Sequence, residues 1–512
     1  MKMDESFLRY SALDSACMVE MHDKFWPLLV QGYEPTYKMT MDLLPVLTFM
    51  QTRGMKVNHL LMADTKREVL ESAAEKQREL EELVGRPLNV NSSKQCANYF
   101  YVELGIPAIL KQKTRQVTTD DMAMQRLVRG TAKQPGLRQA KLVQEIRGLQ
   151  KLYSTYLDIN FDSDDRLRGA YNPRGTKFGR LSSSQTVFGT GMNYQNLPQE
   201  FKKFLVADDG YVLVEVDKRQ AEWVVVAYFS NDANMITAIR NGVDVHVHTA
   251  SLMFNIPAEI VAYENDIVGH ATSAEAIHRL RMDDEILQKL YTGAWPRSMS
   301  LRQCGKKSNH GLNYDEGYRN FALLNEMDEV ESKRIVNMYH DIYPGIRLAY
   351  EVVKRQLQKD RTLTNCFGRK VRFMGEWGND LWKSSYSMIP QSTVVDSLNS
   401  GMVRIYHDEY ITKHLNVDVL AQVHDSILMQ VPIEVVRNKE QYENLMHRVL
   451  EYTSPTLSYN GNDFKIATDA KCGLNWGGFH KTHNKEGMRD LKEHADVINL
   501  LAARASHGTG TH

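Results

Sequence analysis

Apolar residues recur at helical spacing at the start of the chain, and the pattern predicts one amphipathic helix over residues 4–32, built on Phe7, Leu13, Met18, Met21, Phe25 and Leu28. Pro27 predicts a kink near its end, and Gly32 with Pro35 a stop. From about 38 to 160, long charged helical stretches alternate with breaks at Gly85-Arg-Pro87, Gly105-Ile-Pro107 and Pro135-Gly136, the pattern of an extended helical arm. Loop-like text follows at Asn172-Pro-Arg-Gly175 and Ser182-Ser-Ser-Gln185. The run Tyr-Val-Leu-Val-Glu-Val-Asp217 then predicts a strand, and Ala221–Phe229 a helix. Residues 250–360 return to helices rich in both charges and Met, and 361–475 mix helix with strand pairs. Val419–Val423, His424-Asp425 and Ile427–Val431 read as a hairpin with His-Asp at its turn, where a carboxylate is exposed that a strand interior would bury. The tail after Gly478 is polar, with disorder expected over Ser506–His512, and there is no internal repeat.

At 512 residues, 42% hydrophobic and 25% charged, the chain exceeds the size of a single core, so two to four subdomains are expected. The formal net charge of zero argues against a uniformly basic nucleic-acid binder, but charge is unevenly placed. Between Arg86 and Lys151, 12 Lys/Arg face 4 Asp/Glu, a stripe that would track a phosphate backbone or form an ordinary solvated face. The five cysteines (Cys17, Cys96, Cys304, Cys366, Cys472) are scattered and form no Cys-x-x-Cys pair, which predicts reduced thiols, neither a zinc site nor a disulfide framework. No signal-like or membrane-spanning apolar run occurs, so a soluble, cytoplasmic protein is expected.

Asp217 and Asp425 each end an apolar strand-like run. A plain strand end explains either one alone. Two carboxylates sharing a dry cleft, however, repel unless cations neutralise them, and Mg2+ is the natural candidate. A metal pair about 3.5–4 Å apart clamps the attacking and leaving oxygens of a phosphoryl displacement. Arg302, Lys306, His310 and Tyr314 recur every four residues, which keeps them along one helical face. Two cations followed by two rings suit a nucleoside triphosphate, although surface cations beside partly buried rings would give the same text.

Val216-Asp217-Lys-Arg-Gln-Ala-Glu222, the Arg302–Tyr314 segment and Gln422-Val-His-Asp425 resemble, in order and spacing, the three polymerase motifs of family A DNA polymerases, the group of bacterial DNA polymerase I and many phage replicases. Gly179-Arg-Leu-Ser-Ser183 with Gln195-Asn-Leu-Pro198 resembles that family's primer-template loop. Asp244-Val-His246, Phe367-Gly-Arg369, Pro390-Gln391, Asn89-Val-Asn-Ser-Ser93 and Lys151-Leu-Tyr-Ser-Thr-Tyr156 fit as well, so the likeness spans about 38 to 478. It implies an α+β right-hand polymerase: thumb 38–160, palm 161–250 and 361–478 with an antiparallel sheet, fingers 251–360, and a polar tail 479–512. Asp217 and Asp425 would hold two Mg2+ ions, with Mn2+ as a substitute. Glu222, His246, Arg302, Lys306 and His310 would bind dNTP, Glu222 at the place of a ribose 2′-hydroxyl. Arg180, Asn196, Tyr314, Lys383, Gln391 and His424 would contact primer-template DNA.

Some positions depart from the family pattern. His310 stands where relatives carry Phe or Tyr, Lys383 and Ser387 where Arg and Asn are common, and Ser426 where polymerase I has Glu, so a third carboxylate is missing there. The stretch 254–297 is longer than in compact relatives and reads as a fingers insertion. Tyr10-Ser-Ala-Leu-Asp14 resembles the last motif of the family's 3′→5′ exonuclease, so 1–37 would be a remnant of that domain or a docking helix. The implied activity is template-directed DNA synthesis by the polymerase subunit of a split, phage-type replicase in the host cytoplasm, partnered by a separate exonuclease and a processivity factor. The alternatives are a catalytically silent polymerase-like DNA-binding subunit and an RNA polymerase of related fold.

Overall fold

The computed structural model describes residues 5–501 apart from 112–113, 131–134, 270, 272–273, 326, 492–494, 496–497 and 500. The Ser506–His512 tail lies outside them. The helix expected over 4–32 is Glu5–Leu29, and a second helix, Glu34–Arg53, follows a short turn. Pro35 sits in the first turn of that second helix, so it starts a helix instead of ending one. Proline is tolerated there because first-turn N–H groups lack intrahelical acceptors. No residue of Glu5–Leu29 is buried, and its apolar side chains face outward.

The centre of the molecule is a five-stranded antiparallel sheet in the order Arg489–Asp490, Thr468–Gly473, Tyr211–Lys218, Ser426–Pro432, Asp418–Val423. Tyr211–Lys218 is its middle strand, and Val212, Leu213, Val214 and Val216 are fully buried there. Only Glu215 and Asp217 interrupt that run, two residues apart and therefore on one face. The predicted hairpin is present, with its second strand extended to Ser426–Pro432 and a register shift at Leu428/Met429. The sheet shares its core with the helices Asn379–His407 and Lys439–Thr453 and with Leu43, Val46, Leu47 and Met50 of Glu34–Arg53. Met55–Val57 pairs with Arg166–Leu167 and Leu205–Val206 in a separate three-stranded sheet, and Met55 and Val57 are buried in the same core, so residues 34–57 pack with the central sheet. The helical arm has its own core, from Leu80 to Ile146.

Part of the arm's basic stripe is engaged internally. Arg86 pairs with Glu103, Arg138 with Glu79 (2.8 Å), and Arg147 donates to the carbonyls of Val90 (2.7 Å) and Thr119 (2.5 Å). Lys111 and Arg115 stand exposed. A third core joins the helices between Ala221 and Val394, and a fourth, smaller one gathers Val261, Leu287, Trp295 and Leu301. Within the 254–297 stretch, Arg281 and Glu264 form an almost wholly buried ion pair at 2.5 Å, and Arg281 also donates to the carbonyls of Pro296 (2.7 Å) and Met299 (3.0 Å). The five cysteines are unbonded, and no helix of the described residues is long and apolar enough to cross a membrane.

Candidate active site

Asp217 stands one residue before the end of the middle strand, and Asp425 occupies the turn of the adjacent hairpin, beside Ser426, which pairs directly with Asp217. The turn is tight enough to need a left-handed residue, and His424 adopts φ +51°. Gln195 and Gln422 fix it. His424 N–H donates to Gln195 Oε1 (2.9 Å), Gln422 Nε2 to the His424 carbonyl (2.6 Å), and Gln195 Nε2 to the Gln422 carbonyl (2.9 Å). The backbone that aims Asp425 is thus held by Gln195 of the Gln195-Asn-Leu-Pro198 segment together with Gln422.

One cleft contains Asp217, Asp425, Arg180, Glu222, His246, Lys306, His310 and His424. Burial, followed by the Glu215 and Asp425 carboxylates, raises the Asp217 carboxyl to about 6. Burial likewise raises Asp425, against the pull of Arg180, His424 and Lys218. Asp425 Oδ1 is buried without a hydrogen-bond partner. A buried carboxylate oxygen left bare is costly unless something cationic meets it, and an all-oxygen donor pair suits a hard ion such as Mg2+. The residues therefore fit the group. Among the described residues, no three His, Cys, Asp or Glu side chains already converge as a metal-holding group.

Glu222 is clamped: Arg180 Nη2 lies 2.5 Å from one carboxylate oxygen, and the Tyr314 hydroxyl donates to the other. Arg180 Nε is buried without a partner. Gly179, at φ +90°, keeps this loop close to Arg369, since a Cβ there would stand 2.6 Å from the Arg369 guanidinium carbon. Arg369 is in turn paired with buried Asp396 at 2.7 Å.

The helix Leu301–Gly311 is capped by Ser300, whose hydroxyl accepts from Gln303 N–H (3.1 Å). It packs against Val245–Phe254 so closely that a Cβ on Gly305 would lie 2.2 Å from the His246 carbonyl oxygen. Asn309 joins the two helices, donating to the Val245 carbonyl (3.2 Å), contacting His246 Nδ1 (3.1 Å) and accepting from Trp223 Nε1 (3.0 Å). Burial lowers His246 to about 4, so the ring is neutral near pH 7 and offers a hydrogen bond in place of a charge.

The four-residue repeat is not one face of one helix. Lys306 and His310 line the cleft. Arg302 turns to Asp244 (2.8 Å), the residue that caps Val245–Phe254, and so sits outside the lining. Tyr314 falls on a 3-10 turn, Leu312–Tyr314, whose tighter winding carries its ring inward to Glu222. Asn196 lies on the turn Tyr194–Asn196, its carbonyl accepting from Tyr156 (3.2 Å). Lys383 and Gln391 ride the helix Asn379–His407, away from the cleft wall. Tyr10 and Asp14 are on the outward-facing first helix, one turn apart.

The cleft also contains Glu215, Lys202, Lys218, Asn309 and Lys471, to which the sequence reading gave no role. Lys218 is buried, donates to Ser397 Oγ (3.0 Å) and the Thr453 carbonyl, and is lowered by burial to about 7. Strand alternation from Asp217 was a signal for Glu215. Lys471 enters through pairing between Thr468–Gly473 and the middle strand, for which the sequence carries no local sign.

A sequence model described as DNA polymerase family A matches residues 60–266 and 293–478. The break, 267–292, falls inside the 254–297 stretch. The chain is 25% identical over 495 residues to DNA polymerase I of Pseudomonas aeruginosa, covering 92% of this chain and 47% of that protein. It is 26% identical over 434 residues to the thermostable DNA polymerase I of Thermus aquaticus, covering 80% and 45%. It thus spans just under half the length of these relatives. Its fold is similar, at TM-score 0.68 and 22% identity, to the POL domain of Pol1 from M. smegmatis solved in complex with DNA primer-template and dNTP, covering 85% of this chain and 70% of that one. With the family pattern matched on both sides of 267–292 and the palm, fingers and thumb arrangement of its fold, the chain belongs to DNA polymerase family A.

Proposed function

We propose that this chain extends a DNA primer on a template, adding deoxynucleoside triphosphates by two-metal nucleotidyl transfer. The observation that carries the reading is the Asp217–Asp425 cleft, where a buried, unpartnered Asp425 oxygen lies in the same pocket as Lys306 of a neighbouring helix. The solved neighbour, in complex with primer-template and dNTP, supports the substrate class. Asp217 and Asp425 would hold the Mg2+ or Mn2+ ions, which when bound neutralise phosphate charge and lower the pKa of the attacking hydroxyl.

The chain's own groups bind and orient. Lys306 holds the triphosphate together with Arg302, which exchanges Asp244 for phosphate. Neutral His246 donates one hydrogen bond to it, and His310 lies against the sugar. Glu222, fixed by Arg180 and Tyr314, fills the space a 2′-hydroxyl would need. Arg180 and His424 face the primer end, and Asn196, Tyr314, Lys383 and Gln391 serve the template side. In this reading, residues 38–160 are the thumb, except that 38–57 pack with the palm core, 161–250 and 361–478 are the palm, 251–360 the fingers and 479–512 a tail.

Primer extension with Mg2+ and dNTPs tests the assignment. Asp217→Ala and Asp425→Ala should each lower the rate by about 100-fold or more, and undiminished extension by either variant would sink it. NTPs run in parallel separate this activity from RNA synthesis.

The first helix supports a further element of the reading, a split replicase working in the cytoplasm, in the host's if phage-encoded. Its outward apolar face and the Tyr10/Asp14 pair would dock and complete a separate 3′→5′ exonuclease. Mixing the chain with such an exonuclease should give a complex whose proofreading falls with Asp14→Ala. Absence of a complex, with proofreading indifferent to Asp14, would end this part of the proposal.

A further inference from the structure

Alternation along Tyr211–Lys218 places Glu215 on the cleft face beside Asp217. In the ladder, Asp217 is flanked by Ser426 on one side and Asp469 on the other. Asp469 is already paired with Arg219, with Nε to Oδ2 at 2.9 Å. Ser426, one residue after Asp425, carries no charge. Its hydroxyl lies 3.0 Å from Glu215 Oε1 and also 3.0 Å from the Val423 carbonyl oxygen. Trp476 Nε1 donates to the same Glu215 oxygen at 3.0 Å. Both contacts fall on Oε1; among the described residues, no hydrogen bond reaches Oε2. Glu215, Asp217, Asp425 and Ser426 all line the one cleft.

We propose that Glu215 supplies this cleft with the third carboxylate that its turn lacks at Ser426, delivered diagonally from the neighbouring strand. Diagonal neighbours in an antiparallel pair are about 7–8 Å apart, within reach of a long side chain. Ser426, too short to contribute a carboxylate, tethers Glu215 instead, and Trp476 fixes it from the other side. Because Glu215, Asp217 and Asp425 do not already converge on one point, Glu215 acts as a positioning residue. Its oxygen accepts from the water around a divalent cation and adds negative potential, while Asp217 and Asp425 ligate. The inference rests on the cleft being a divalent-cation site.

Mn2+ alone, titrated into the full chain and followed by the electron paramagnetic resonance of the free ion, tests both levels. Asp217→Asn should abolish tight binding. Glu215→Gln keeps an acceptor for Ser426 and Trp476 and should weaken binding about tenfold, while Ser426→Ala, which only frees the tether, should weaken it by a smaller factor. Glu215→Gln combined with Ser426→Glu should regain most of the loss. Wild-type affinity in Glu215→Gln, with Asp217→Asn inactive in binding, would overturn the role of Glu215 alone. A double variant no better than Glu215→Gln would overturn it too, since the loss would not be that of a carboxylate at this place. Absence of binding by the wild type, or binding indifferent to Asp217→Asn, would overturn the cation site itself.

Discussion

Asp217 keeps its proton to about pH 6, because burial and the Glu215 carboxylate oppose its charge. An unfolded aspartate titrates near 4, so between about 4 and 6 the folded, metal-free chain binds a proton that the unfolded chain has released. The contribution of this group to stability therefore falls as pH rises through that window. Urea unfolding in EDTA should show this fall in the wild type relative to Asp217→Asn, whereas Mg2+ above pH 6 should reduce the difference. The Tyr314 hydroxyl makes a charge-assisted bond to Glu222, and Tyr314→Phe should cost about 2 kcal/mol in urea unfolding. If Glu222 guards the sugar site, the same variant should also raise ribonucleotide incorporation in primer extension. Asp217 and Asp425 were legible because each closes an apolar run in an ordered context. Glu215 was legible only through Asp217: strand alternation puts the two on one face, but the sheet's neighbours are needed to show that this face is the cleft.

Helix contacts set the position of Lys306 and His310. Gly305 lets Leu301–Gly311 approach the His246 carbonyl, so Gly305→Ala must part the two helices. A cost of about 1–3 kcal/mol follows from such overpacking, read in unfolding, with a raised KM for dNTP because Lys306 and His310 move with the helix. The buried Arg281–Glu264 pair ties the stretch that the family pattern skips to the carbonyls of Pro296 and Met299, just before the Ser300 cap. Glu264→Gln leaves Arg281 buried and only partly compensated, and should destabilise the chain by about 3–5 kcal/mol, measured as a lowered urea midpoint. That helices fill residues 250–360 could be read from the sequence. The fate of Tyr314 could not, because a spacing of four assumes an unbroken helix, and this one gives way to a 3-10 turn at Leu312; nor could that of Arg302, which is set by Asp244 at the cap of another helix. Pro35 misled for a related reason: proline both stops helices and starts them, and only the chain on each side decides which.

Across the whole molecule, the cleft is assembled from segments distant in sequence, with the Gly179-Arg180 loop, the middle strand, the helices Val245–Phe254 and Leu301–Gly311 and the hairpin each adding a side chain. Local pattern identified the pieces, but not that residues 34–57 would join the sheet's core or that Lys471 would enter the cleft beside Glu215. The middle strand has a further consequence, for how the protein is made. Its valine-rich backbone is paired on both edges, yet both partners, Ser426–Pro432 and Thr468–Gly473, leave the ribosome well after the strand itself, the second later than the first. Until then it is an apolar strand with two open edges, the kind of surface that recruits other chains. Nascent chains released before residue 426 should therefore aggregate where full-length chains fold, a contrast that light scattering of translated truncations would register, and chaperone demand should drop sharply once the hairpin has emerged.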